Sequence, residues 1–168
     1  SNSSRLSLGL NYTHGFGYYQ EFYDLWYDQN VSFGGDTDYG YLKLPPLSVN
    51  GQSITATENA VRKWLDNDFY VANLLFHTKT ENISMSSGAY FSYYEGQHFG
   101  ELMWANRAKV NPAHRFYENT GIKKDSNIFS KVDFSIDKKW SLYADLQLRW
   151  IDYEVSGEVA GPDSFGVN

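Results

Sequence analysis

The chain has 168 residues, a formal net charge of −6 and no basic run, which argues against a nucleic-acid partner. Aromatic residues reach 18 %, high for a soluble domain and suited to membrane girdles or ligand-facing loops. Cysteine is absent, which excludes a thiol nucleophile, and no run of eighteen apolar residues offers a transmembrane helix.

The first predicted strand begins at Arg5. Leu6, Leu8, Leu10 and Tyr12 point one way, Ser7, Gly9, Asn11 and Thr13 the other, and Phe16 closes the apolar side. An aromatic-rich stretch follows (Tyr18, Tyr19, Phe22, Tyr23, Trp26, Tyr27). A long irregular segment then runs to about Asn59, broken by Gly34-Gly35, Pro45-Pro46 and Asn50-Gly51. The second strand covers Val61 to Thr78, with Tyr70, Ala72, Leu74 and Phe76 on its apolar face and Asn73 and His77 opposite. After the short turn 79–82, the third starts at Ile83 and alternates Ile83, Met85, Ala89, Phe91 and Tyr93 with Ser84, Ser86, Gly88 and Ser92. A medium loop covers 105–114. The fourth sets Ile128, Val132, Phe134 and Ile136 against Asn127, Lys131, Asp133 and Ser135, and the tight turn Asp137–Lys139 leads to the fifth.

The fifth strand carries the clearest pattern. Trp140, Leu142, Ala144, Leu146, Leu148 and Trp150 alternate with Ser141, Tyr143, Asp145, Gln147 and Arg149. Two indoles ten residues apart lie roughly 34 Å apart along a strand. Tilted by about 45°, that projects to roughly 24 Å, close to the ~25 Å apolar band between the aromatic girdles of an outer-membrane barrel. Short turns (79–82, 137–139) alternate with long loops (24–60, 105–114), as periplasmic turns and extracellular loops do. Strands one, three and five then run outward, Trp140 belongs to the periplasmic girdle and Trp150 to the outer one. A three-residue turn also sets Ile136 opposite Trp140 and Lys131 opposite Asp145. That ion pair would contribute roughly 0.2–1 kcal/mol. Both chain ends read as cuts in a longer protein.

Several segments resemble TonB-dependent outer-membrane receptors of Gram-negative bacteria. They are Tyr12-Thr-His-Gly-Phe-Gly-Tyr-Tyr19, Arg62-Lys-Trp-Leu-Asp-Asn-Asp-Phe-Tyr70, Tyr94-Glu-Gly-Gln-His-Phe-Gly100 with Trp104, Phe116-Tyr-Glu-Asn-Thr-Gly-Ile-Lys-Lys-Asp125, and Ala144-Asp-Leu-Gln-Leu-Arg149 with Tyr153. They span nearly the whole chain in order. The resemblance implies a barrel of roughly 22 strands around an N-terminal plug that TonB opens, importing ferric siderophores, haem, cobalamin or glycans. This chain departs from a complete receptor: plug and TonB box are missing, and about five strands are too few to close a barrel, whose minimum is about eight.

Other motifs weigh less. Gly15-Phe-Gly17 lacks the helix that a phosphate cradle needs and reads as a bend at the outer rim. Asp36-Thr-Asp38-Tyr-Gly40 begins like a calcium loop, but the twelfth position is Leu47, without a side-chain oxygen. His14, His77, His98 and His114 are scattered off metal spacing. The carboxylate pairs Asp66/Asp68 and Glu95/Glu101 would serve glycosidase chemistry only if they faced each other across a cleft. No Gly-x-Ser-x-Gly elbow occurs. The triplets at Asn2, Asn11, Asn30 and Asn82 carry no glycosylation meaning in a bacterial outer-membrane protein.

The sequence therefore predicts an all-β, antiparallel up-and-down meander: an open curved sheet of about five long strands, residues 1–168 being part of a receptor barrel. Leu8, Leu10, Leu74, Phe91, Val132, Leu146 and Leu148 are expected to face lipid, and Asn11, Asn73, Lys131, Asp145 and Arg149 the lumen. Trp26, Tyr27, Tyr39, Tyr41, Trp104, Arg107 and Arg115 are the candidate contacts to a small-molecule or glycan substrate, because aromatics with cations stack on sugars or hold anionic chelates. No catalytic group, metal or cofactor is expected. Expected partners are outer-membrane lipid and, through the missing plug, TonB. The rival reading is a soluble β-sandwich that binds carbohydrate. Strands of about 5–6 residues would be usual there, against eleven alternating residues here.

Overall fold

A computed structural model describes residues 3–26, 36–111 and 114–158. The described chain is all-β. Its strands are β1 (Ser3–Tyr23), β2 (Leu47–Val49), β3 (Gln52–Ile54), β4 (Asn59–Lys79), β5 (Ile83–Ala105), β6 (His114–Ser135) and β7 (Ser141–Glu158). Five of them form one antiparallel meander in the order β1-β4-β5-β6-β7, and β2 and β3 pair separately. The long strands run 18 to 23 residues, several times the usual length of a soluble strand. β1 and β7 are the edges of this sheet.

Four strands, β1, β5, β6 and β7, run well past the sequence reading at one end, whereas β4 meets it within two residues at each end. β1 continues through the aromatic stretch to Tyr23, β5 continues to Ala105, and β6 begins at His114, well before Asn127. Period-of-two alternation misses these extensions because it breaks down within them. Phe116 and Tyr117 are consecutive and both buried, which a strictly alternating strand does not allow. The segment 24–60 is not irregular throughout. Asn50 and Gly51 both have positive φ (52° and 78°), as a type I′ turn requires, and they close the β2–β3 hairpin with Val49 opposite Gln52.

The long strands pass through two compact units. The first comprises residues 1–14, 68–95 and 122–154. It contains both short turns, and the turn after β6 has the expected register. Ile136 N donates to Trp140 O at 3.0 Å, and Lys131 Nζ lies 3.4 Å from Asp145 Oδ2. Asp137 Oδ1 accepts from Lys139 N and Trp140 N (2.7 and 2.9 Å), an Asx turn that fixes the reversal.

Alternation gives this unit two unlike faces. On one, Tyr12 packs on Tyr70 and Tyr70 on Tyr93 (ring centroids 4.9 and 6.2 Å apart). Leu8, Leu10, Leu146 and Leu148 share that face by strand parity and are 58–76 % exposed. The opposite face is sewn together. Arg149 Nε donates to Asp125 Oδ1 at 3.0 Å, Lys131 meets Asp145, and a Cβ on Gly88 would lie 2.6 Å from the Phe129 ring.

The second unit comprises residues 15–67, 96–121 and 155–168, described as far as Glu158. It has an ordinary buried core: Tyr39, Leu42, Leu44, Val61, Leu102, Ala105, Phe116 and Tyr117. Leu42 and Leu102 are completely enclosed (0 % and 1 % exposed). Burying each leucine stabilises the unit by about 1.5–3 kcal/mol. The loop segment 37–44 supplies three of these residues, so it is folded onto the strands rather than hanging free. Gly100 leaves the space that the Phe116 and Tyr117 rings fill.

Candidate functional site

The second unit carries a cleft of about 570 Å³, within the roughly 300–1,000 Å³ usual for small-molecule sites. Two chain segments line it: Tyr39, Pro45, Pro46 and Leu47 from one, and Asn106, Arg107, Ala108 and Lys109 from the other. Hydrogen bonds hold both segments. Tyr39 N donates to Thr55 O (2.8 Å), and Thr57 N donates to Thr37 O (2.9 Å). Asn106 N donates to Glu58 O (2.9 Å), and Asn106 Nδ2 donates to Glu58 Oε2 (2.7 Å). Arg107 N donates to Thr57 Oγ1 at 3.0 Å, while its carbonyl accepts from Tyr39 Oη at 2.8 Å. Both backbone groups of Arg107 are thus fixed, and its side chain extends, exposed, at the cleft. Tyr39 is 5 % exposed, so it shows the cleft little beyond its edge.

Of the seven substrate contacts expected from sequence, the structure brings Tyr39 and Arg107 together here. Tyr41 packs on Phe116 (centroids 5.3 Å apart) against the core. Trp104 stacks on Phe22 at 6.0 Å. Arg115 lies 3.9 Å over the Phe99 ring and pairs with Glu118 at 2.9 Å. Trp26 is 70 % exposed, and Tyr27 lies outside the described residues. Sequence reasoning missed Pro45, Pro46, Leu47, Asn106 and Lys109. One signal could have found Lys109: Arg107-Ala-Lys109 has no carboxylate within five residues on either side.

The other conspicuous polar groups have structural partners. Asp38 Oδ1 accepts from Gly40 N and Tyr41 N (2.7 and 3.1 Å), so the calcium-like segment closes on itself. Asp68 accepts from Tyr12 Oη at 2.7 Å, Glu95 from Tyr93 Oη at 2.9 Å and Glu101 from Trp64 Nε1 at 2.8 Å. His77 bonds Ser86, His98 bonds Asn119, and His114 Nε2 donates to Leu42 O at 2.7 Å.

Beyond the Leu6–Phe16 reach of β1, Lys63 Nζ lies 2.8 Å from Glu21 Oε2 and 3.0 Å from Tyr23 Oη. Partial burial works against the ammonium, but its hydrogen bonds with Glu21 and Tyr23 outweigh it and hold Lys63 well above the ordinary lysine range. Burial and the bond to Glu21 push the Tyr23 phenol up to about 12. Burial also raises Tyr41, reinforced by the Asp36 carboxylate. Lys63 is therefore a fixed, paired cation, unsuited to act as a base or to bind a second anion. The chain matches no protein-family model, no curated protein and no solved structure.

Proposed function

We propose that this chain is part of the barrel wall of a TonB-dependent receptor, in the outer membrane of a Gram-negative bacterium, where it serves energised uptake of a bound substrate. Its role is to form wall and outer vestibule. TonB acts through a plug that belongs to the rest of the receptor, and the cargo is a siderophore, haem, cobalamin or glycan. The observation that carries this reading is the split character of the first unit. One face is a bare apolar surface with Leu10 75 % and Leu146 76 % exposed, and the other is tied by Arg149–Asp125 and Lys131–Asp145. Water does not favour a contiguous apolar face of this kind, but a lipid band does. Strands of 18 residues or more, joined alternately by short turns and long connections, give the same support.

The test uses single cysteines, which the chain accepts without competition because it has none of its own. Asp145→Cys, Leu146→Cys, Gln147→Cys and Leu148→Cys are spin-labelled in chain reconstituted into lipid vesicles. Labels at 146 and 148 are expected to meet dissolved oxygen, and those at 145 and 147 a water-soluble nickel chelate. Equal access of all four to the chelate, or a monodisperse soluble monomer with one cooperative melt, overturns the reading in favour of a soluble β-sandwich.

A further inference from the structure

The cleft in the second unit has a chemical polarity that names its ligand. Every other cation described in that unit has a partner. Lys43 pairs with Glu158, Lys63 with Glu21 and Arg115 with Glu118, and Arg62 Nε donates to Gln20 Oε1 at 3.0 Å. The side chains of Arg107 and Lys109 have neither a hydrogen bond nor an ion pair among the described residues, and both line the cleft. Glu58, the carboxylate bound to Asn106, is not part of the lining. In a chain of net charge −6, two unspent cations in one concavity form a local exception to the prevailing field.

The other segment of the lining is the reverse. Pro45 and Pro46 have no backbone N–H to offer, and with Leu47 they present rings and methyl groups. A ligand that satisfies both segments carries an anionic group and an apolar face. The volume of about 570 Å³ exceeds what an inorganic anion fills and suits one or a few rings. Arginine matches a carboxylate with two parallel donors, while lysine adds a point charge. We infer that the cleft takes a carboxylate carried on a six-membered ring. Two sources carry that group, an acidic sugar and an aromatic acid. The inference rests on the receptor reading only in treating the bound acid as cargo.

The test is a calorimetric titration of the vesicle-reconstituted full chain. One arm uses an oligogalacturonate against the neutral galactose oligomer, and the other a hydroxybenzoate against the hydroxybenzamide. At least one acid is expected to bind, at least tenfold more tightly than its neutral counterpart, and the arm that binds identifies the source. The double variant Arg107→Gln/Lys109→Gln is expected to weaken binding at least tenfold. Ala108→Trp, which fills the cleft and keeps both cations, is expected to abolish it. An unfolding midpoint within about 2 °C of the wild type shows that the variants fold. Equal binding of acid and neutral forms, full binding by either variant, or no binding of either acid overturns the inference. The labelling pattern across residues 145–148 is read separately, so acid binding without that alternation leaves the cleft intact and removes the membrane.

Discussion

Gly100 is the position where a single methyl group should do the most damage. It lies in β5 with an ordinary strand φ, so alanine there meets no backbone penalty. The obstacle is steric. A Cβ at residue 100 would lie 2.5 Å from Phe116 Cζ and 2.6 Å from Phe116 Cε1, with the Tyr117 ring closer still. Ordinary contact begins at 3.4 Å, so both rings must retreat by roughly 0.9 Å. Neither has free space. Phe116 is 2 % exposed and packs edge-on to Tyr117 and against Tyr41; Tyr117 is 8 % exposed. Overpacking costs about 1–3 kcal/mol, and two trapped rings place Gly100→Ala near the top of that range. Removing the entropy of a strand glycine returns about 0.5–1 kcal/mol. The net expectation is a loss of about 2 kcal/mol.

The assay is equilibrium unfolding in guanidinium, followed by tryptophan fluorescence. A second substitution separates crowding from other causes. Phe116→Leu alone removes buried ring and should destabilise. In the Gly100→Ala background it also relieves the clash, so the two changes should be less costly together than separately by about 1 kcal/mol. A neutral Gly100→Ala, or strict additivity of the pair, would refute the reasoning, because it would mean that the rings do not depend on the space at residue 100.

Gly51, at φ 78°, should resist substitution for a different reason. Alanine in a left-handed conformation costs about 1–2 kcal/mol, so Gly51→Ala should loosen the β2–β3 hairpin, seen as faster amide exchange at Ile54, whereas Asn50→Gly should not. Glu21 should make stability depend on acid. Burial tends to raise its carboxyl, but the hydrogen bonds from Lys63 and Tyr23 and the Lys63 charge prevail and hold it below its ordinary 4.5. A lowered folded value means that the contribution is present above 4.5 and lost as pH falls through the folded value. Wild type should therefore lose more stability than Glu21→Gln between about pH 6 and about pH 3 in denaturant titrations, and parallel curves would contradict this.

The alternating part of the long strands was legible because one physical demand repeats along it. A face that must be apolar and a face that must not be impose a period of two. That period gave the strand order, the turn at 137–139 and the Lys131–Asp145 pair from sequence alone. The extensions follow another demand. Their residues answer to a three-dimensional core in which neighbours in sequence, such as Phe116 and Tyr117, are buried together and a glycine is kept to seat their rings. No one-dimensional period encodes that arrangement. Arg115 and Trp104 looked like ligand contacts for the same reason. An exposed cation or indole reads alike in sequence whether it meets a substrate or the rings of Phe99 and Phe22.

The cleft shows what separates a binding cation from a structural one. Composition alone made all the arginines and lysines equivalent. The fold distinguishes them by supply of carboxylate: Glu21, Glu118 and Glu158 are each delivered to a cation by the strand that carries them. Among the described residues none is delivered to Arg107 or Lys109, because the carboxylate that reaches the 105–109 turn, Glu58, is taken by Asn106. Tyr39 and Thr57 meanwhile fix the Arg107 backbone from segments 68 and 50 residues away. Anchoring the main chain while leaving the charge unmatched leaves the Arg107 and Lys109 charges for a ligand to meet. A solvated surface arginine needs no such anchoring. The immobilised Arg107 backbone lowers the ordering cost that a bound anion would otherwise meet, which favours Arg107 over the more conspicuous aromatics around it as the anchor of the proposed site.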